Sequence, residues 1–105
     1  MVKIPDLVLN KIMKFLQSLE RNNFRIQKAY LFGSYVNGKY NDWSDIDLAL
    51  VSDDFKGDSF QDRLSLIDLI YECGSDISPV PYRIIDFENS MFARDEIVKN
   101  GIQLV

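Results

Sequence analysis

The segment Asp45-Ile46-Asp47-Leu48-Ala49-Leu50-Val51 limits the fold more than any other stretch of the chain. Alternate residues of a β-strand point to opposite faces, so Ile46, Leu48 and Leu50 share one face while Asp45, Asp47, Ala49 and Val51 share the other. The apolar side marks a core strand. A core strand with two carboxylates side by side on one face suffers a like-charge repulsion that a bound cation removes. Oxygen coordination suits this chain, which has no histidine and a single cysteine, Cys73. That count excludes an internal disulfide and a Cys-based zinc site. An EF-hand is a poor fit to the acids, because counting from Asp45 puts Ala49 and Leu50 where an oxygen ligand and a glycine are needed.

The remaining sequence supplies one small domain around such a strand. With 105 residues, 47% of them apolar and 12% aromatic, the chain fills a single core, and residues 1–105 are expected to form one domain. From Asp6 to Arg21, Val8, Ile12, Phe15, Leu16 and Leu19 recur at helical spacing, and Asn22-Asn23 stops the helix. Ile26 to Phe32 reads as a strand ending at Gly33-Ser34, and the polar Tyr35 to Ser44 as a short turn of helix plus a loop. Ser59, with Asp62 as a capping-box partner, begins a helix that Gly74 closes, its stripe being Phe60, Leu64, Ile67 and Tyr71. A third strand within Ile77 to Ile85 contains Pro79 and Pro81, neither of which can donate to a ladder, so it is expected at an edge. Ser90 to Lys99 reads as helix, and Ile102 to Val105 as a terminal strand. The order predicts an α+β fold, a small mixed sheet with helices packed on one face.

Ten residues separate Gly33-Ser34 from the Asp45-Ile46-Asp47 triplet. Gly33 allows a sharp turn and a close approach of backbone to ligand, and Ser34 offers a hydroxyl and an N–H at a helix start, where phosphate oxygens are well placed. Glycine turn and paired acids together suit a Mg²⁺-nucleoside triphosphate. Catalysis at such a site is mostly positioning and electrostatics, with little need for histidine.

Gly33-Ser34-Tyr35-Val36-Asn37-Gly38 followed by Ser44-Asp45-Ile46-Asp47-Leu48 resembles the signature of the polymerase-beta-like nucleotidyltransferase superfamily. At this size the chain is most similar to the minimal nucleotidyltransferases. The resemblance implies that Gly33 and Ser34 hold the triphosphate of ATP and that Asp45 and Asp47 are catalytic residues binding two Mg²⁺ ions. The position after Gly33-Ser34 is often basic in relatives; here it is Tyr35, and Lys39 stands in as the candidate phosphate contact. The resemblance also implies a third catalytic carboxylate on the next core strand. Ile77 to Tyr82 contains no acid, so Asp76, just before it, is the expected residue, with Ser78 and Asp86 as alternatives for that place.

Minimal nucleotidyltransferases commonly serve as antitoxins beside a small helical HEPN ribonuclease toxin. The resemblance therefore implies AMP transfer from ATP to a hydroxyl of a partner protein, in a hetero-oligomer with a HEPN-type toxin. Its alternatives are an inactive antitoxin that neutralises by contact, and transfer to a small-molecule alcohol such as an aminoglycoside. The net charge of −4 lacks the attraction that drives nucleic-acid binding and suits the masking of a basic ribonuclease. No apolar run is long enough to cross a bilayer, and Met1 to Asp6 lacks the apolar segment of a secretory leader, so a cytoplasmic location is expected.

Other conspicuous residues have structural readings. Tyr30, Phe32, Phe60, Tyr71 and Phe87 are expected in the core. Trp43 is expected to pack over the core edge, with stacking on a nucleotide base as its functional alternative. Cys73 reads as an inert thiol, and Asp53, Asp54 and Asp58 as a solvated acidic loop.

Overall fold

In the computed structural model, which describes residues 3–105, the carboxylate-bearing segment forms an interior strand of a four-stranded sheet. Met1 and Val2, the first residues of the stretch inspected above for a leader, lie outside the described residues. In chain order the elements are α1 (Asp6–Arg21), β1 (Lys28–Phe32), α2 (Ser34–Asn37), β2 (Ile46–Val51), α3 (Ser59–Leu64), α4 (Ile67–Cys73), β3 (Ile77–Tyr82), α5 (Ile84–Glu88), a π-helix (Ala93–Val98) and β4 (Ile102–Gln103). The strands lie in the order β3-β2-β1-β4. β1 runs antiparallel to both β2 and β4, and β3 runs parallel to β2, so the sheet is mixed as expected.

The alternation read in β2 decides what lies on each side of the sheet. Ile46, Leu48 and Leu50 pack with Ala29, Leu31 and Ile77 under Val8, Ile12, Phe15, Leu16 and Leu19 of α1 and under Leu66, Leu69 and Cys73. On the opposite face Ala49 and Val51 join Tyr30 and Phe32 beneath Phe87, Ala93 and Ile97. The α+β class and the mixed sheet agree with the sequence reading. The layering differs in one respect, because α5 and the π-helix cover part of the second face, where all helices were expected on one. Phe87, Ala93 and Ile97 supply the apolar contacts that hold them there. The Ser90 to Lys99 segment is not a plain α-helix either: the Lys99 N–H reaches the Arg94 carbonyl, five residues back, at 3.2 Å.

β3 is an edge strand, as its prolines require. Its inward carbonyls include those of Asp76 and Tyr82, which accept the N–H of Ile46 at 2.7 Å and of Ser52 at 2.9 Å. In a parallel ladder these even-numbered positions face β2, so Pro79 and Pro81 fall where the N–H would point away from the sheet.

The segment from Ser59 to Gly74 departs most from the sequence reading. It is two helices, parted at Ser65 and Leu66, and Phe60, Leu64, Ile67 and Tyr71 are all exposed, Phe60 to 67% and Tyr71 to 75%. The buried side is Leu66, Leu69 and Cys73, so the period is helical but the inward face is the other one. The cap also differs. Asp58, one residue before Ser59, accepts the Phe60 and Gln61 N–H groups at 3.1 and 3.2 Å. Asp62 is buried and accepts the N–H groups of Lys56 and Gly57 at 2.8 and 3.0 Å. Nor are the other loop acids merely solvated, since Asp54 accepts the Arg25 N–H at 2.7 Å and Asp53 the Ile84 N–H at 3.3 Å. Cys73 is buried with its Sγ 3.6 Å from Ser18 Oγ, inside the core.

Two substitutions test this account of the packing. Leu48→Ala empties the middle of the larger cluster and is expected to cost about 2–5 kcal/mol in urea unfolding. Asp62→Ala orphans two backbone N–H groups and is expected to cost about 1–3 kcal/mol. A loss under about 0.5 kcal/mol for Asp62→Ala would mean that the loop holds itself without the carboxylate.

Candidate functional site

The site is built where β1 ends beside the start of β2. Phe32, the last residue of β1, stands opposite Asp47 in the antiparallel register, and the chain then turns at Gly33 with φ 81° and ψ −146°. That conformation belongs essentially to glycine. Space demands glycine as well: a Cβ on Gly33 would collide with Asp47 Oδ2 and stand 3.1 Å from its Cγ. The missing side chain is what lets backbone and carboxylate occupy one spot. Beyond the turn α2 begins at Ser34, and the Gly33 carbonyl accepts the N–H groups of Val36 and Asn37 at 3.0 and 3.1 Å. Amides of a first helical turn have no acceptor within the helix, so those of Ser34 and Tyr35 are donors available to a ligand.

α2 is anchored by Tyr35, which is buried in the larger cluster and stacks on Tyr40 with ring centroids 4.7 Å apart. The residue after Gly33-Ser34 is thus a core aromatic. Gly38 ends α2 in the left-handed conformation, and the exposed Lys39 follows, its N–H donating to the Ser34 carbonyl at 3.1 Å. The loop to β2 carries Trp43 at 91% exposure, so Trp43 does not pack over the core edge.

Asp45 immediately precedes β2 and Asp47 is its second residue, near enough for the charge of one to act on the other. Asp45 is exposed and Asp47 half-buried. Burial raises the Asp47 pKa above the ordinary carboxylate value, and the neighbouring charge of Asp45 raises it further. Both causes are penalties on the ionised form that a cation between the two acids would lift. Their hard oxygen donors fit Mg²⁺, which is usually held by one or two carboxylates together with substrate phosphates.

Among the described residues the three candidates for a third acid lie as follows. Asp76 Oδ2 accepts a hydrogen bond from Lys11 Nζ of α1 at 3.0 Å, and its Oδ1 lies by Gly74. Asp86 accepts from Arg83 Nε at 2.7 Å and from Arg83 Nη2 at 3.2 Å, and that contact lowers its pKa. Ser78 stands opposite Asp47 in the parallel register. Among the described residues no three His, Cys, Asp or Glu side chains converge into a metal-binding group.

A cleft of about 440 Å³ opens at Gly33, walled by Phe32, by Val36 and Asn37 of α2 and by Phe92, Glu96 and Asn100. Sequence reasoning missed this wall. Its signal was the spacing of Phe92, Glu96 and Asn100, each four residues after the last, which places them on one helical face.

A doubly acidic strand end against a glycine turn that opens a helix can take a divalent cation and phosphate oxygens side by side. The family described as polymerase beta, nucleotidyltransferase, matches residues 10–105, and the chain belongs to that family. Among solved structures, a toxin-antitoxin with AMP-PNP is 31% identical with TM-score 0.63, covering 91% of this chain and 71% of that one. A mutant of the toxin-antitoxin MntA-HpeT is 26% identical with TM-score 0.59, covering the same shares of 91% and 71%. A proposed nucleotidyltransferase from Sulfolobus solfataricus shares the fold at 17% identity and TM-score 0.62, covering 98% of this chain and 89% of its own. No curated protein matches the chain.

The strained position of Asp47 has a measurable sign. Its raised pKa means that the folded chain holds the proton more tightly than the unfolded one. Stability therefore falls as pH climbs from 3.8 through the raised value. Asp47→Asn is expected to raise the melting temperature at pH 7 and to flatten that part of the pH profile. An unchanged or lowered melting temperature at pH 7 would show that Asp47 is not penalised. Gly33→Ala is expected to act in the opposite direction, lowering stability and displacing Asp47.

Proposed function

We propose that this chain transfers AMP from ATP to a hydroxyl of a partner protein, and that it serves as the antitoxin of a HEPN-type ribonuclease toxin, with which it forms a hetero-oligomer in the cytoplasm. The observation that carries this reading is the contact of Gly33 with Asp47, which sets a phosphate-binding turn against the acid pair. Gly33, Ser34 and the first amides of α2 take the triphosphate, with Lys39 as a further cation toward it. Asp45 and Asp47 hold Mg²⁺, which supplies charge neutralisation on the phosphates. The acceptor oxygen then bonds to the α-phosphorus as the bond to the β-phosphate oxygen breaks; pyrophosphate leaves and the hydroxyl proton passes to solvent.

Family membership supports nucleotidyl transfer, and the similarity to a toxin-antitoxin with AMP-PNP supports adenine nucleotide and a toxin partner. The net charge of −4 supports a basic partner. No helix among the described residues is long and apolar enough to cross a membrane. One observation favours a second reading, neutralisation by contact alone: Asp76 and Asp86 are engaged by Lys11 and Arg83, away from the acid pair.

The test is transfer of label from α-phosphate-labelled ATP and Mg²⁺ to proteins of the native host, with the Asp45→Asn, Asp47→Asn double variant as control. The wild type is expected to label one protein band, and the double variant to lose roughly 100-fold or more of that transfer. No label with wild type, together with a stable complex and preserved neutralisation, would replace transfer by contact as the function.

A further inference from the structure

We infer that the site carries a single divalent cation, on Asp45 and Asp47, and that Ser78 is the residue that withholds a second. This rests on the nucleotidyl-transfer reading of the site and parts from the expectation of two ions. The geometry is that of neighbouring strands. Ser78 is the register partner of Asp47 in the parallel β2 and β3 pair. Partners on adjacent strands share a face about 4.8 Å apart, so the Ser78 side chain points into the space beside the Asp47 carboxylate.

A carboxylate at position 78 would reach an ion bound to Asp47. A serine offers one neutral hydroxyl, without the negative charge that a Mg²⁺-binding carboxylate contributes. Nearby acids do not make up the loss. Asp76 is held toward α1 by Lys11 at 3.0 Å, and Asp86 is held by Arg83 at 2.7 Å. Glu96 lines the cleft at Gly33, and it does not join the acid pair in a group of three among the described residues.

One ion needs no more than the chain provides. Mg²⁺ is satisfied by two carboxylates, phosphate oxygens and water, so the nucleotide brings the remaining ligands. A second ion, about 3.5–4 Å from the first, would draw its protein ligands from the same two carboxylates and have no third. Repulsion between the ions then goes uncompensated, and occupancy stops at one.

The experiment counts Mn²⁺ bound to the full chain saturated with AMP-PNP, using the electron paramagnetic resonance signal of the free ion, for wild type and Ser78→Asp. Wild type is expected to hold one Mn²⁺ per chain and Ser78→Asp two. Without nucleotide, Ser78→Asp is expected to melt lower than wild type and to gain more from added Mn²⁺, because a third carboxylate joins a repelling pair. Two ions on wild type would overturn the inference while leaving nucleotidyl transfer standing. One ion on folded Ser78→Asp would show that position 78 does not set the count. If that variant fails to fold, the wild-type count alone decides. Wild type that retains neither AMP-PNP nor Mn²⁺ would instead overturn the reading of the site itself.

Discussion

The repulsion between Asp45 and Asp47 is the constraint around which the molecule is arranged. Two like charges on one face of an interior strand are tolerable only at the strand's end, where part of the pair meets water. There Asp45 is exposed and Asp47 half-buried, while every residue from Leu48 to Val51 is buried. The strand therefore has a charged head and an apolar body. α1 and α4 cover the body on one side, and α5 and the π-helix cover it on the other. With the body fixed from both faces, the head cannot relax by sliding, and a cation bound there would relieve its repulsion.

The glycine turn belongs to the same arrangement. Gly33 follows the residue paired with Asp47, so the two meet through the register of β1 and β2 and not through loop flexibility. Antiparallel pairing brings the sequence separation between the turn and the acids to a direct contact. Tyr35 then pins α2 by burying its ring, which orients the helix start without a charged residue at that place.

Much of this was legible because it depends on period and spacing. The alternation in β2, the stripe of α1, the edge position demanded by Pro79 and Pro81 and the glycine-to-acid spacing all map directly to geometry. What was not legible depended on phase and on partners. The Phe60 to Tyr71 stripe has a sound helical period, but the break at Ser65 and Leu66 turns the opposite face inward, and period alone cannot say which apolar face is buried. Asp54, Asp58 and Asp62 read as solvated or weakly capping because the N–H groups they bind belong to backbone whose course no side-chain pattern encodes. Asp76 was the expected third acid by its nearness to β3 in sequence. Its ion pair with Lys11 joins residues 65 positions apart, a contact that only the packing of α1 creates. The wall of Phe92, Glu96 and Asn100 becomes visible only once the C-terminal segment is seen to cover the second face.

The prolines of β3 have a consequence for association. An open sheet edge presents free N–H and C=O groups on which another chain can add a strand, the usual route to edge-to-edge aggregation. On β3 two outward positions lack the N–H altogether, and the opposite edge, β4, is a strand of two residues. Neither border offers an extended ladder. Strand addition is disfavoured at both borders, which leaves side chains on a helix or a face as the better surface for a partner.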